Sequence, residues 1–195
     1  MSYTSKSKER SETTYYEDYA YVLDFLPYGH PLAEKTLLRS EPIAQVIGKN
    51  FFILLEVAVR PGIYLAPREL VYIGRGIRDK ILRIRRKINY EDLTIAAKDE
   101  LSNVIEVIVT ENEKRFVEFF NTAGSLTTRL HTLQLLPGIG KKHLWDILEE
   151  RKKKPFENFE EIKLRVRISD PKKLIVKRII SELMREDKYR LFVKG

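Results

Sequence analysis

The sequence predicts an α+β protein: a small five-stranded β-barrel over residues 15–90, a pair of connecting helices over 91–121 and an all-α module over 122–195. Three observations carry this reading. Runs of β-branched and aromatic residues bounded by turn residues fill the first segment. Apolar residues then recur at three- and four-residue spacing through the second. In the third, helix-period segments alternate with short turns, twice over. Residues 1–14, "MSYTSKSKERSETT", read as a polar, disordered tail without the apolar core of a signal peptide.

Strands are expected at Ala20–Leu26, Pro42–Ile47, Phe51–Val59, Glu69–Gly74 and Ile81–Ile88. Gly48-Lys49-Asn50 joins the second to the third as a hairpin, and Pro61, Gly62 and Pro67 punctuate the stretch between the third and the fourth. Five short strands in so few residues suit an OB-like barrel, and an SH3-like barrel carries the same signals. The last strand region, "RGIRDKILRIRRK", holds Arg75, Arg78, Lys80, Arg83, Arg85, Arg86 and Lys87 with only Asp79 opposing. Ile81, Ile84 and Ile88 can point inward while Arg83 and Arg85 share the other face. With Tyr64 and Tyr72 this is either a basic, aromatic-bearing face that holds single strands or a charged edge that blocks aggregation.

In the connecting segment, Leu101, Val104, Ile105, Ile108 and Val109 form one helical stripe, and Phe116, Val117, Phe119 and Phe120 a second. Thr110-x-x-Glu113 has capping-box spacing and should start the second helix, with Asn121 to Gly124 ending it. The pair is acidic and is expected to pack the barrel against the C-terminal module.

The C-terminal module reads as two helical pairs. Thr127–Gln134 leads through "LPGIG" to Lys141–Arg151, and Phe159–Val166 leads through "RISDP" to Lys172–Met184. Pro137 ends the preceding helix, Gly138 and Gly140 permit backbone conformations that side chains obstruct, and Ile139 tucks into the core. The amides of Gly138 to Lys141 then stand at a helix N-terminus, where unpaired donors and the helix dipole suit a phosphate oxygen. Lys141 and Lys142 add charge, and such a site reads backbone rather than bases. In the second turn, Asp170 is an N-cap followed by Pro171 at the first helical position, which points to scaffolding.

"LLPGIGKK" followed by "LWDILEER" is similar to the helix-hairpin-helix motif, and the whole C-terminal segment resembles a tandem helix-hairpin-helix domain. By position, Leu136, Gly138, Ile139, Gly140, Lys141 and Lys142 match the phosphate-contacting turn of that motif. With "PRELVYIGRG", "NEKRFVEFFNTAG" and "TTRLHTLQLLPGIGKKH", nearly the whole chain resembles an archaeal domain-of-unknown-function family (six-five-five). The resemblance implies nucleic-acid binding with an OB-like domain, and no reaction or cofactor.

Composition agrees in sign. The net charge is +8, but residues 122–195 carry 18 Lys/Arg against 10 Asp/Glu while residues 91–121 carry 3 against 8, so a basic module follows an acidic connector. Cysteine is absent, which excludes disulfides, a thiol nucleophile and cysteine-ligated metal, and a cytoplasmic setting is expected. No run approaches the length of a membrane span.

"GIGKK" is not a P-loop, since Leu135 stands where its first glycine belongs, and "GRGIRD" lacks the third glycine of a dinucleotide fingerprint. Glu150-Arg151-Lys152 resembles a nuclease core, but Phe156 occupies the place of its aspartate. The glycosylase aspartate is likewise missing, because Asp146 lies on the helix itself. His30, His131 and His143 have no partner at metal-ligand spacing, and His143 suits a phosphate contact or plain exposure instead. Trp145 is expected in the core, and Arg129 is a candidate for a second phosphate contact from a helix surface.

The expectation is a non-enzymatic protein without cofactor or metal that binds RNA or DNA through Leu136, Gly138, Ile139, Gly140, Lys141, Lys142, His143 and Arg129, with Arg83 and Arg85 on the barrel. The rival reading is a scaffold whose basic face docks on an acidic protein partner.

Overall fold

In a computed structural model describing residues 15–29 and 41–194, the five β runs become strands β1 Tyr19–Leu26, β2 Ile43–Gly48, β3 Leu54–Val59, β4 Leu70–Tyr72 and β5 Ile81–Lys87. The expected tail at 1–14 and His30 lie outside the described residues. Every pairing is antiparallel and the order is β4-β1-β2-β3-β5. No strand ladder joins β4 to β5 among the described residues, so the sheet is a curled half-barrel where strand count suggested closure. The edges explain this. β4 contributes only three residues, and β5 is kinked by two register shifts against β3. The same shifts defeat simple alternation: Ile81 and Ile88 are buried as expected, but Ile84 is 39% exposed.

β2 and β3 are buried along their whole length, with the helices on one face of the sheet and a second apolar cluster on the other. Ala20, Val22, Ala44, Val46, Val57 and Val59 fill the concave side. Tyr21, Leu23, Ile47 and Leu54 face the helices. The expected start of β3 at Phe51 is a turn instead: Phe52 takes φ 57° and buries its ring toward the helices, while the Glu17 carboxylate accepts from the Asn50 and Phe51 amides at 2.9 and 2.6 Å.

The helices are α1 Ile95–Glu111, α2 Glu113–Thr122, α3 Lys141–Lys153, α4 Phe159–Val166 and α5 Pro171–Leu183. α1 is anchored on the sheet through fully buried Gln45, whose amide donates to the Asp92 carbonyl and accepts from the Thr94 amide, at 2.9 and 2.8 Å. Thr94 caps α1 and its hydroxyl also donates to Asp24 at 2.6 Å. Thr110 does not cap α2, contrary to its spacing: its hydroxyl donates back to the Glu106 carbonyl inside α1, and the break falls at Asn112.

A second departure precedes the glycine turn. In place of a helix over Thr127–Gln134 the chain forms a small hairpin, β6 Ser125–Thr127 with β7 Leu130–His131, and then a single 3-10 turn over Thr132–Leu135. Three threonines in a segment this short favour extended backbone over a helix nucleus. One hydrophobic core nevertheless runs from the sheet through α1 and α2 to Leu136, Ile139, Ile147, Ile162, Ile175 and Ile179. Each side chain of that size buried stabilises by about 1.5–3 kcal/mol.

Candidate nucleic-acid interface

The Leu136–Lys142 turn is built by contrast between its buried and exposed members. Leu136 and Ile139 are 1% and 5% exposed and wedge the turn into the core, with the Ile139 amide donating to the Leu136 carbonyl at 3.2 Å. Pro137, Gly138, Gly140, Lys141 and Lys142 lie outside. Gly138 has φ +85°, a region that penalises any side chain. Gly140 differs from the expectation. Its φ of −86° and ψ of −174° suit any residue, and a Cβ there would meet nothing within 4 Å. The protein's own packing does not require glycine at this position.

Gly140 is the N-cap of α3 and has no side chain to cap it. The Leu144 amide makes the first intrahelical bond, to the Gly140 carbonyl at 3.0 Å, so the amides of Lys141, Lys142 and His143 precede the ladder. Neither Lys141 nor Lys142 has an acid partner within ion-pairing distance among the described residues. His143 braces the turn, its Nδ1 donating to the Gly138 carbonyl at 3.1 Å. The same donors are occupied at the second turn: Asp170 accepts from the Lys172 amide at 3.0 Å, Pro171 contributes none, and Lys172 pairs with Glu106 of α1 at 2.8 Å.

Trp145 is 62% exposed, not in the core. It stands one helical turn after Lys141 and off the buried stripe of Leu144 and Ile147. The seam spacing in the sequence already held that signal, since a residue next to Leu144 is rotated about 100° from it. Arg129 is exposed in the turn between β6 and β7 rather than on a helix. Behind the glycine turn, the buried Arg178 guanidinium donates to the Leu135 carbonyl at 3.0 Å and to Glu182 at 2.8 Å.

The barrel arginines are far from bare. Arg83 makes a bidentate pair with Glu41 at 2.8–3.0 Å, and Arg85 reaches Glu56 at 3.0 Å. Glu41 lies 42 residues before Arg83 and Glu56 lies 30 before Arg86, so sequence proximity does not reveal them. Tyr64 is 74% exposed against Phe25. Tyr72 instead borders a cleft on the concave side of the sheet. Among the described residues, no helix is long and apolar enough to cross a membrane.

Comparison places this architecture among known proteins. A family model described as a protein of unknown function (DUF655) matches residues 16–194. The uncharacterised protein MJ0038 of Methanocaldococcus jannaschii is 46% identical over 196 aligned residues, spanning 100% of this chain and 86% of that one. The crystal structure of Af1531 from Archaeoglobus fulgidus, of the same family model, superposes with a TM-score of 0.85 at 55% identity, covering 91% of this chain and 100% of that one. On the extent of these matches, the chain belongs to the DUF655 family.

Proposed function

We propose that the protein is a non-enzymatic nucleic-acid-binding protein that grips phosphate backbones, largely without regard to sequence, through the Leu136–Lys142 turn. In this reading the C-terminal segment is a tandem helix-hairpin-helix module, its first helix reduced to a 3-10 turn, and the half-barrel is OB-like. The observation that carries it is Gly140: an N-cap left without a side chain, in open space, at the head of α3, where a serine would otherwise satisfy the helix. Free amides, the helix dipole and two unpaired lysines converge there. The second turn, already filled by Asp170, acts as scaffold.

The test is a gel shift with mixed RNA, single-stranded DNA and duplex DNA at low and moderate salt, using native protein and a Lys141→Glu/Lys142→Glu variant. Native binding should be salt-sensitive, and the variant should weaken it and flatten the salt slope by about two units. Trp145 is the only tryptophan, so quenching of its fluorescence reports occupancy beside the turn. Unchanged affinity in a folded variant would sink the turn as the anchor. No retention of any nucleic acid would favour the acidic-partner scaffold.

A further inference from the structure

The chain sorts the cations of residues 75–87 into two sets. One set is matched: on the outer face of the sheet Arg83 by Glu41 and Arg85 and Arg86 by Glu56, and ahead of β5 Lys80 by Glu69. Arg75, Arg78 and Lys87 have no acid partner within ion-pairing distance among the described residues. These three line one open cleft of about 1210 Å³ on the concave side of the half-barrel. Within β5, register explains the sorting: Lys87 lies opposite Leu55 and Ile84 opposite Val57, both concave-core positions, whereas Arg86 lies opposite Glu56 on the other face.

The cleft is also aromatic. Arg75 stacks on the Tyr16 ring at 4.6 Å, and that tyrosine is 61% exposed. The Tyr72 hydroxyl accepts from the Gly76 amide at 3.0 Å, and a Cβ on Gly74 would approach that oxygen to 2.6 Å, so the loop is fitted around the ring. Ile53, Leu55 and Ile84 make an apolar floor. Two acids border it. The Glu17 carboxylate is turned into the β2–β3 turn, where it accepts the Asn50 and Phe51 amides, and only Asp18 stays exposed. Burial, and then the charges of Arg190 and Arg185, hold the Lys87 amine below its ordinary range. A space larger than the roughly 300–1,000 Å³ of small-molecule pockets, and open, suits a polymer.

We propose that this cleft binds unpaired nucleotides, with bases against Tyr16, Tyr72 and the apolar floor and phosphates on Arg75, Arg78 and Lys87. The ligand is then a nucleic acid with a single-stranded stretch beside the segment gripped by the turn. The proposal rests on the nucleic-acid reading above and replaces Arg83 and Arg85 as the sheet's contacts.

The experiment compares native protein, Arg75→Glu/Lys87→Glu, Tyr16→Ala and the turn variant Lys141→Glu/Lys142→Glu on a homopyrimidine single strand and on a duplex. The cleft variants should lose about tenfold or more in single-strand affinity and little on the duplex, and bromouridine photocrosslinks should map to peptides holding Tyr16 or Tyr72. Tyr16→Ala truncates an exposed ring, so it serves if the charge reversal fails to fold. Native single-strand affinity in folded cleft variants, crosslinks confined to the turn, or crosslinks from the cleft to residues 1–14 of the chain itself would each overturn the proposal. If native protein binds neither ligand, both readings fail; if the turn variant alone loses binding, only the cleft fails.

Discussion

Gly138 and Gly140 sit two residues apart and answer to different demands. Gly138 holds φ +85°, so Gly138→Ala should cost roughly 1–2 kcal/mol through backbone strain, read as a lower urea midpoint. Gly140 is in extended backbone with open space before it. Gly140→Ser should therefore leave stability equal or raise it by a few tenths of a kcal/mol, yet weaken nucleic-acid binding, because its hydroxyl would take the amides offered to phosphate. Loss of stability with retained binding would invert this assignment. His131 shows a third demand. Its Nδ1 accepts from the Leu133 amide at 3.2 Å and shapes the 3-10 turn ahead of the glycines. Burial, and then the Arg151 charge, hold its pKa below the ordinary 6.5. The folded state thus binds the proton less well than the unfolded chain, so this contribution is intact above pH about 6.5 and is lost as pH falls through the depressed folded value. Thermal scans at pH 7.5 and 5.5 should show a smaller drop for His131→Gln than for native protein.

The glycine turn is held from behind by a buried ion pair on α5. Arg178 and Glu182 are 5% and 1% exposed and one turn apart. Arg178 donates to the Leu135 carbonyl and to Asp187, and Glu182 accepts the amides of Leu191, Phe192 and Val193 at 2.8–3.0 Å. One pair therefore fixes the entry to the turn and the C-terminal segment together. Arg178→Met would leave the Glu182 carboxylate buried without its cation, at a cost of about 3–5 kcal/mol. Chemical denaturation measures that directly, and a loss under about 1 kcal/mol would mean that the three backbone amides alone satisfy the buried Glu182 carboxylate. The α3 and α5 N-termini show how closely similar elements diverge: one is left open by glycine, the other closed by Asp170, Pro171 and the Lys172–Glu106 pair.

At the scale of the molecule, one hydrophobic cluster links the sheet to the last helix. Sheet and helical module should consequently unfold together: Trp145 fluorescence on α3 and hydrogen exchange of the β2–β3 amides should give one denaturant midpoint. Two separated transitions would divide the chain at the connecting helices. The acidic connector also has a role in this packing, since Glu106 of α1 pairs with Lys172 and Glu113 of α2 accepts the Phe159 amide at 2.7 Å.

Much of the architecture is local, and for that reason it is legible in the chain before folding. The strand runs, the Asp170–Pro171 cap, the α4 and α5 spans and the Pro-Gly-Ile-Gly turn rest on neighbours within one turn or one pleat, where propensity, capping and period decide. The missing first helix of the turn shows the limit of the same logic, because seams spaced for a helix formed a hairpin once threonines weighed against nucleation. Which cations stay unpaired is settled only in the assembled fold. Arg83 meets Glu41 across 42 positions, and two shifts in the β3–β5 register send Ile84 and Lys87 toward the cleft and Arg86 away from it. Assembly also left the sheet open. Charge partners depend on what folds alongside a residue, and no local pattern carries that information.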